Sequence, residues 1–256
     1  MLIRSLFLAV SCFSKIPVPQ LSWRDDGMRY MMCFFPVVGV IVGLALALWW
    51  WICDALAFGA VLRAVGLTLV PVLVTGGIHL DGYCDVVDAL SSHSEPEKRR
   101  QILKDPHVGA FAVIGVGVYL LAYFGIATEV PHSWQALIVI GLSAVISRCA
   151  SGIATVAFKQ NASGGMLAQF NESADTRRAL IALIVELVVA SGAAIAVCVP
   201  FGITAVAICL AWLAILPVFA RRQFGGMSGD VAGFFLQMAE LLMLAGIVVV
   251  AKVVGL

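Results

Sequence analysis

Three aspartates recur at helical spacing within residues 75–88. Asp81, Asp85 and Asp88 are separated by four and three residues, a spacing that places all three carboxylates on one face of a helix. Like charges on one face repel each other, so we expect a cation to hold them together. Oxygen ligands with few competing nitrogens or sulfurs favour Mg²⁺ or Mn²⁺ over zinc. The segment predicts a divalent-metal site; a solvated acidic helix end is the alternative.

A second charged segment, residues 99–109, precedes a long apolar run. Beside a metal held by the first segment, Arg100 and Lys104 would neutralise phosphate oxygens. Asp105 would complete the metal shell, and His107 would contact a phosphate. The alternative is a basic membrane anchor with an acid at a helix start.

Two more polar features lie in apolar surroundings. Arg148 stands inside an apolar run, where an unpaired guanidinium is costly, so a carboxylate or a ligand phosphate should meet it. A glycine-rich turn with Gly226 and Ser228 leads to Asp230. Its backbone N–H groups would cradle a phosphate, unless it is a bare turn before a helix. His79 is a candidate ligand, base or substrate contact, although an interfacial polar residue is the simpler interpretation.

The composition identifies the surroundings of these residues as a lipid bilayer. The 256 residues are 62% hydrophobic and 12% charged, with a mean hydropathy of +1.03; soluble domains have about 45–50% apolar and about 25% charged residues. This apolar content excludes a water-soluble globule and a disordered chain. The net charge of +1 also excludes a nucleic-acid-binding module. Seven scattered cysteines form no CxxC pair, which argues against disulfides and zinc.

Long apolar runs predict an all-α, polytopic membrane helical bundle of about seven transmembrane helices in a single domain, residues 1–256. The N-terminal stretch predicts a surface or re-entrant helix, because KIPVPQ follows it instead of a cleavage site. If the second run continues as a helix past Gly82, Asp81, Asp85 and Asp88 lie on one stripe. The runs lie near 31–53, 62–80, 109–128, 134–157, 179–199, 202–220 and 233–251.

Basic residues alternate between the connections, as the positive-inside rule requires. They place the N-terminus and the loops 82–108, 159–178 and 221–232 in the cytoplasm, and the C-terminus outside. The candidate site residues then share the cytoplasmic face. Carboxylates with a divalent ion and nearby bases suit phosphoryl transfer. The residues alone therefore predict a metal-dependent transferase for a phosphorylated or nucleotide-activated substrate.

The chain resembles a known family over nearly its whole length. In order, the similar segments are FSKIPVP, FFPVVGVIVG, TGGIHLDGYCDVVDAL, RRQILKDPHVGAFAVIGV, the Ser147-Arg148 pair and FGGMSGDVAG. They are similar to cobalamin synthase, the adenosylcobinamide-GDP ribazoletransferase family, and the HLDGxxDxxD element followed by KDxxxGAF is specific. Pro106-His107 stands where Ser-Arg is common in that family.

The resemblance implies a reaction and its reactants. A ribose hydroxyl of α-ribazole, or of its 5′-phosphate, attacks adenosylcobinamide-GDP and releases GMP, with Mg²⁺, at the inner membrane. It implies metal ligands or bases at Asp81, Asp85, Asp88 and Asp105, with Arg148 and Asp230 in support. A homo-oligomer is left open.

Three other functions fit the sequence less well. A CDP-alcohol phosphotransferase lacks support because its DGxxAR start is absent. An intramembrane metalloprotease lacks the HExxH motif that would hold zinc. A cation-coupled transporter would bury such acids near the membrane midplane, whereas these acids cluster near one face.

Overall fold

The computed structural model describes residues 2–19, 21, 25–161 and 175–255. These residues form helices, with one isolated bridge between Gln160 and Met227. In chain order the helices are α1 (Leu2–Phe13), α2 (Asp25–Met28), α3 (Phe35–Ala55, after a 3₁₀ turn over Met31–Phe34), α4 (Ala60–Thr75), α5 (Ile78–Ser91), α6 (Pro96–Ile102), α7 (Ala110–Thr128), α8 (Trp134–Ala157), α9 (Thr176–Val197), α10 (Val199–Phe224) and α11 (Gly229–Val254).

Six of the described helices, α3 and α7 to α11, are long and apolar enough to cross a membrane. Many large apolar side chains point outward, among them Leu121 at 72% and Val253 at 81% exposure, a surface that suits acyl chains and not water. Helix α1 has 12 residues, about 18 Å, and is too short to cross a bilayer core of about 30 Å. The predicted membrane helical bundle with a short N-terminal helix is confirmed.

The second predicted span, 62–80, is wrong as a single helix, because it breaks at Gly76 and Gly77; the chain is nevertheless helical through Gly82, in α5. Gly76 and Gly77 have φ of 65° and 78°, a left-handed backbone that ends α4 and that glycine adopts without a Cβ clash. Helix α5 starts directly afterwards and is bent by 97° from α4. The described chain therefore has six continuous spans, or seven if this bent pair counts as one.

The predicted connections are shorter than expected. Helix α9 ends at Val197 and α10 begins at Val199, so Cys198 alone joins them. The predicted loop 221–232 is only residues 225–228 in the structure, because α10 ends at Phe224 and α11 begins at Gly229. The predicted loop 82–108 contains the rest of α5 and all of α6. Within the predicted loop 159–178, residues 162–174 lie outside the described part of the chain.

Helices α8 and α11 form the centre of the bundle. In their most apolar windows 78% and 61% of residues are buried, against 17% in α9 and 22% in α10. Helix α5 packs on the N-terminal part of α11, and α1 packs on the start of α3. The acidic residues thus lie where the two central helices reach one end of the bundle.

Candidate active site

The acidic stripe occupies helix α5. Asp81, Asp85 and Asp88 all lie within Ile78–Ser91, so the prediction that they share one helix is confirmed. Asp85 interacts electrostatically with both other members and with Asp230 of α11. No described residue donates a hydrogen bond to Asp81 or Asp85. These two carboxylates are therefore available to a ligand.

Helices α5 and α11 meet at backbone distance beside the stripe. A Cβ added at Gly82 would lie 2.9 Å from the Asp230 Cα, and one added at Gly233 would lie 3.0 Å from the His79 carbonyl oxygen. This approach puts Asp81 and Asp230 on the wall of one cavity. Two aspartates that are far apart in sequence are thus brought together, as the sequence predicts.

Gly82→Val is expected to separate α5 from α11, because the neighbouring backbone cannot move aside as a flexible side chain would. Overpacking of this kind costs about 1–3 kcal/mol, and we expect thermal stability and ligand binding to fall together. Gly117→Ala is the matched control, since no atom lies within 4 Å of a Cβ at Gly117. Unchanged melting of the Gly82 variant in detergent would contradict the close approach.

Asp88 has a different partner from the rest of the stripe. Its Oδ1 accepts a hydrogen bond from the Ala112 backbone N–H at 3.3 Å. A Cβ at Gly109 would collide with the same carboxylate. Asp88 therefore caps the N-terminus of α7, where the helix dipole favours a negative charge. Its predicted role as a metal ligand stays a prediction.

The loop before α7 is exposed. Asp105 Oδ1 accepts the His107 backbone N–H at 3.0 Å and lies 2.6 Å from His107 Nδ1. These hydrogen bonds lower the pKa of the Asp105 carboxyl below its ordinary value. Lys104 is also exposed. The structure pairs Asp105 with His107, and their predicted metal and phosphate contacts stay predictions.

Two arginines attach α6 to the end of α10. Arg99 donates to the side-chain oxygen of Gln223. Arg100 donates to the Phe224 carbonyl oxygen at 3.5 Å and to Glu97 Oε1 at 3.2 Å. Cations at a helix C-terminus are favourable because the last carbonyls have no partner within the helix. Arg100 therefore already has protein partners, and its predicted contact with substrate phosphate stays a prediction.

In the glycine-rich turn, residues 225–228, backbone N–H groups donate to carbonyl oxygens of the protein. The N–H groups of Gly225 and Gly226 donate to carbonyls of α10, and that of Met227 donates to Lys159. Ser228 Oγ accepts the Val231 N–H at 3.2 Å and thus caps α11. The turn therefore serves as a helix boundary, which leaves the predicted substrate contacts of Gly226 and Ser228 untested.

Arg148 meets a carboxylate, one of the two partners that the sequence predicts. Its Nη1 lies 2.8 Å from Glu240 Oε1, and the two side chains are 1% and 7% exposed. Ser147 Oγ donates to the same oxygen at 2.9 Å. Three residues earlier on α11, Gln237 Oε1 accepts a hydrogen bond from the Tyr119 hydroxyl of α7 at 2.6 Å. Polar contacts from both α7 and α8 therefore reach α11 in the bundle core.

The cavity beside Asp81 and Asp230 has a volume of about 220 Å³. Its wall is largely apolar and aromatic, with Phe35 and His79 3% and 6% exposed. Phe13 also lines it, together with Ser151 and Thr155. Asp81 is exposed, so the carboxylates mark the mouth of the cavity. The aromatic wall has no reactive residue that marks it in the sequence; its signal is the similarity of the FSKIPVP and FFPVVGVIVG segments to the family.

The donors at this mouth fit Mg²⁺. Among the described residues, no three His, Cys, Asp or Glu side chains already converge as a metal site. Mg²⁺ needs no such set, because it usually keeps several waters and binds through one or two carboxylates together with substrate phosphates. Asp81 and Asp230 supply two carboxylates at one cavity. The predicted ligand quartet of Asp81, Asp85, Asp88 and Asp105 stays a prediction.

Comparisons with known proteins agree with these observations. A family model described as Cobalamin-5-phosphate synthase matches residues 5–248. A protein of Lachnoclostridium phytofermentans named adenosylcobinamide-GDP ribazoletransferase is 40% identical over 248 residues, covering 97% of this chain and 94% of that protein.

More distant relatives carry the same name. A protein of Clostridium botulinum is 31% identical, covering 94% of this chain and 95% of that protein. One of Clostridium perfringens is 31% identical, covering 96% of this chain and 98% of that protein. No solved structure matches the chain significantly. Since the family model spans almost the whole sequence, the chain belongs to the cobalamin-5-phosphate synthase family.

Proposed function

We propose that this protein is an adenosylcobinamide-GDP ribazoletransferase of the membrane. It transfers the cobinamide phosphate to α-ribazole, or to α-ribazole 5′-phosphate, and releases GMP. The observation that carries the proposal is the cavity with Asp81 and Asp230 at its mouth, in a chain that is 40% identical to a protein of that name.

The reaction exchanges one phosphorus–oxygen bond for another. A ribose hydroxyl oxygen of the acceptor bonds to the phosphorus that carries the cobinamide aminopropanol. The bond from this phosphorus to the bridging oxygen breaks, and GMP leaves with that oxygen. The hydroxyl proton goes to a carboxylate. We assign this proton transfer to Asp85, which is half-buried one helical turn beyond Asp81 and has no hydrogen-bond donor among the described residues.

Asp81 and Asp230 would hold the Mg²⁺ that we propose as cofactor, with Mn²⁺ as a substitute. When bound, such an ion neutralises phosphate oxygens and stabilises the departing GMP. The aromatic wall would shield from water the part of the substrate that enters the cavity. The neighbouring bases Arg99 and Arg100 add positive charge beside α10.

Purified protein in lipid nanodiscs tests the proposal directly. With adenosylcobinamide-GDP, α-ribazole and Mg²⁺, mass spectrometry should detect the cobamide and GMP in equal amounts. Removing divalent ions with EDTA should abolish both products, and added Mg²⁺ should restore them. Absence of cobamide under every condition would overturn the transferase, whereas full activity in EDTA would overturn only the metal.

The positive-inside pattern supports an inner-membrane protein with this site on the cytoplasmic side. Reporter fusions within residues 103–109 should read cytoplasmic, and fusions after Lys252 should read external. Opposite signals would invert the orientation. The two alternatives, a transporter and a CDP-alcohol phosphotransferase, receive no support from the relatives.

A further inference from the structure

The cavity behind Asp81 and Asp230 has the character of a ring-binding slot. Phe13 of α1 and Phe35 of α3 have ring centroids 4.4 Å apart. The imidazole of His79 lies 5.5 Å from Phe35 and 6.2 Å from Phe13, nearly parallel to the latter at 21°. Cys12 and Met32 add sulfur atoms to this wall, and the hydroxyl-bearing Ser151 and Thr155 also line the cavity. Aromatic faces and sulfur atoms favour a flat, weakly polar ligand group.

One polar atom in this wall has no partner. His79 is 6% exposed, and its Nε2 makes no hydrogen bond with any described residue. A buried polar group without a partner is unfavourable unless a ligand or water supplies one. The slot therefore fits a flat group with a ring nitrogen that pairs with His79.

The size of the slot limits what can enter. A volume of 220 Å³ corresponds to about seven waters at about 30 Å³ each. That space accepts a bicyclic heteroaromatic ring. Asp81 and Asp230 at the mouth would then lie beside the sugar attached to the ring, where carboxylates accept hydrogen bonds from hydroxyls.

We propose that this slot binds the benzimidazole base of the acceptor α-ribazole, with His79 Nε2–H donating to the free ring nitrogen. The proposal rests on the proposed transferase function and assigns the acceptor, not the donor, to this cavity. His79 becomes a specificity-determining residue that orients the ribose hydroxyl toward the carboxylates. Helix α1, which supplies Cys12 and Phe13, gains a role as one wall of the acceptor site.

Guanine of the donor is the competing occupant. Its edge carries several donors and acceptors, and Ser151 and Thr155 are hydroxyl-bearing side chains on the cavity wall. Ser151 already donates to the Ala232 carbonyl oxygen at 3.2 Å. Benzimidazole in a riboside has a single free acceptor, which matches the single free atom on His79. The free ring nitrogen of the acceptor base therefore has a partner in His79, and the riboside comparison below distinguishes the two occupants.

The test compares α-ribazole with the matching indole riboside, which has the same shape but a C–H in place of the ring nitrogen. The wild-type protein should prefer the benzimidazole riboside by about five- to tenfold in Kd and kcat/KM, the value of one net hydrogen bond. His79→Phe keeps an aromatic ring and should lose this preference. His79→Gln keeps a donor and should restore part of it.

The controls separate this inference from the proposed function. His132→Phe changes an exposed histidine at the far end of the bundle, bonded to Asp54, and should retain the preference. In His79→Phe, KM for adenosylcobinamide-GDP should stay within about twofold. Full preference in the His79→Phe variant, or a rise in the donor KM alone, would overturn the assignment. Since Kd for both ribosides is measured by calorimetry without donor, the slot is tested even if no cobamide forms.

Discussion

Replacing Asp81 with asparagine is expected to lower kcat by about 10³-fold or more, the largest effect of any single substitution at the site. Asparagine keeps the size of the side chain and its oxygen but removes the negative charge that would hold Mg²⁺ against the substrate phosphates. Asp81 is exposed, so the fold should not depend on its charge. Single-turnover GMP release with saturating substrates measures the loss.

Asp54→Asn is the matched control for this substitution. Asp54 lies at the opposite end of the bundle, 2.8 Å from His132 and 3.8 Å from Arg63, so its variant should keep normal turnover. Asp230→Asn should resemble Asp81→Asn, because both residues line one cavity. Normal kcat in both cavity variants would show that these carboxylates do not hold the metal.

The acidic stripe was predictable because spacing alone encodes it. Carboxylates at i, i+4 and i+7 share a face in any helix, and the structure does place Asp81, Asp85 and Asp88 on α5. The bend before them was not predictable from hydropathy. The apolar pattern continues through Gly76 and Gly77. The break depends on the positive φ angles of these two glycines, which hydropathy does not reveal.

The sequence predicts the chemical type of the partner of Arg148 but not which residue it is. A guanidinium in an apolar helix requires a carboxylate or a phosphate, yet only the packing of α8 on α11 selects Glu240. The aromatic slot was hidden for a related reason. Phe13, Phe35 and His79 lie on three different helices and line one cavity. Phenylalanine side chains are not reactive, so the sequence does not mark Phe13 and Phe35 as part of a site.

Breaking the Arg148–Glu240 pair from one side is expected to have the largest effect on stability. Glu240→Ala should lower the free energy of unfolding by about 3–5 kcal/mol, because it leaves a guanidinium buried without its counter-charge. The 1% and 7% exposures of the two side chains show that solvent does not screen this interaction. Thermal unfolding in nanodiscs measures the change. Glu129→Gln, which breaks an exposed pair with Lys252, should leave the melting temperature unchanged.

The double variant Arg148→Met with Glu240→Leu distinguishes a structural pair from a phosphate-binding arginine. Apolar residues of similar volume often replace a buried ion pair without loss, so the double variant should be more stable than either single one. Arg148 does not line the cavity beside Asp81, and we therefore expect turnover within about tenfold of wild type. A stable but inactive double variant with a raised KM for adenosylcobinamide-GDP would instead assign Arg148 to substrate phosphate. In that case Glu240 would keep the guanidinium oriented until the donor binds.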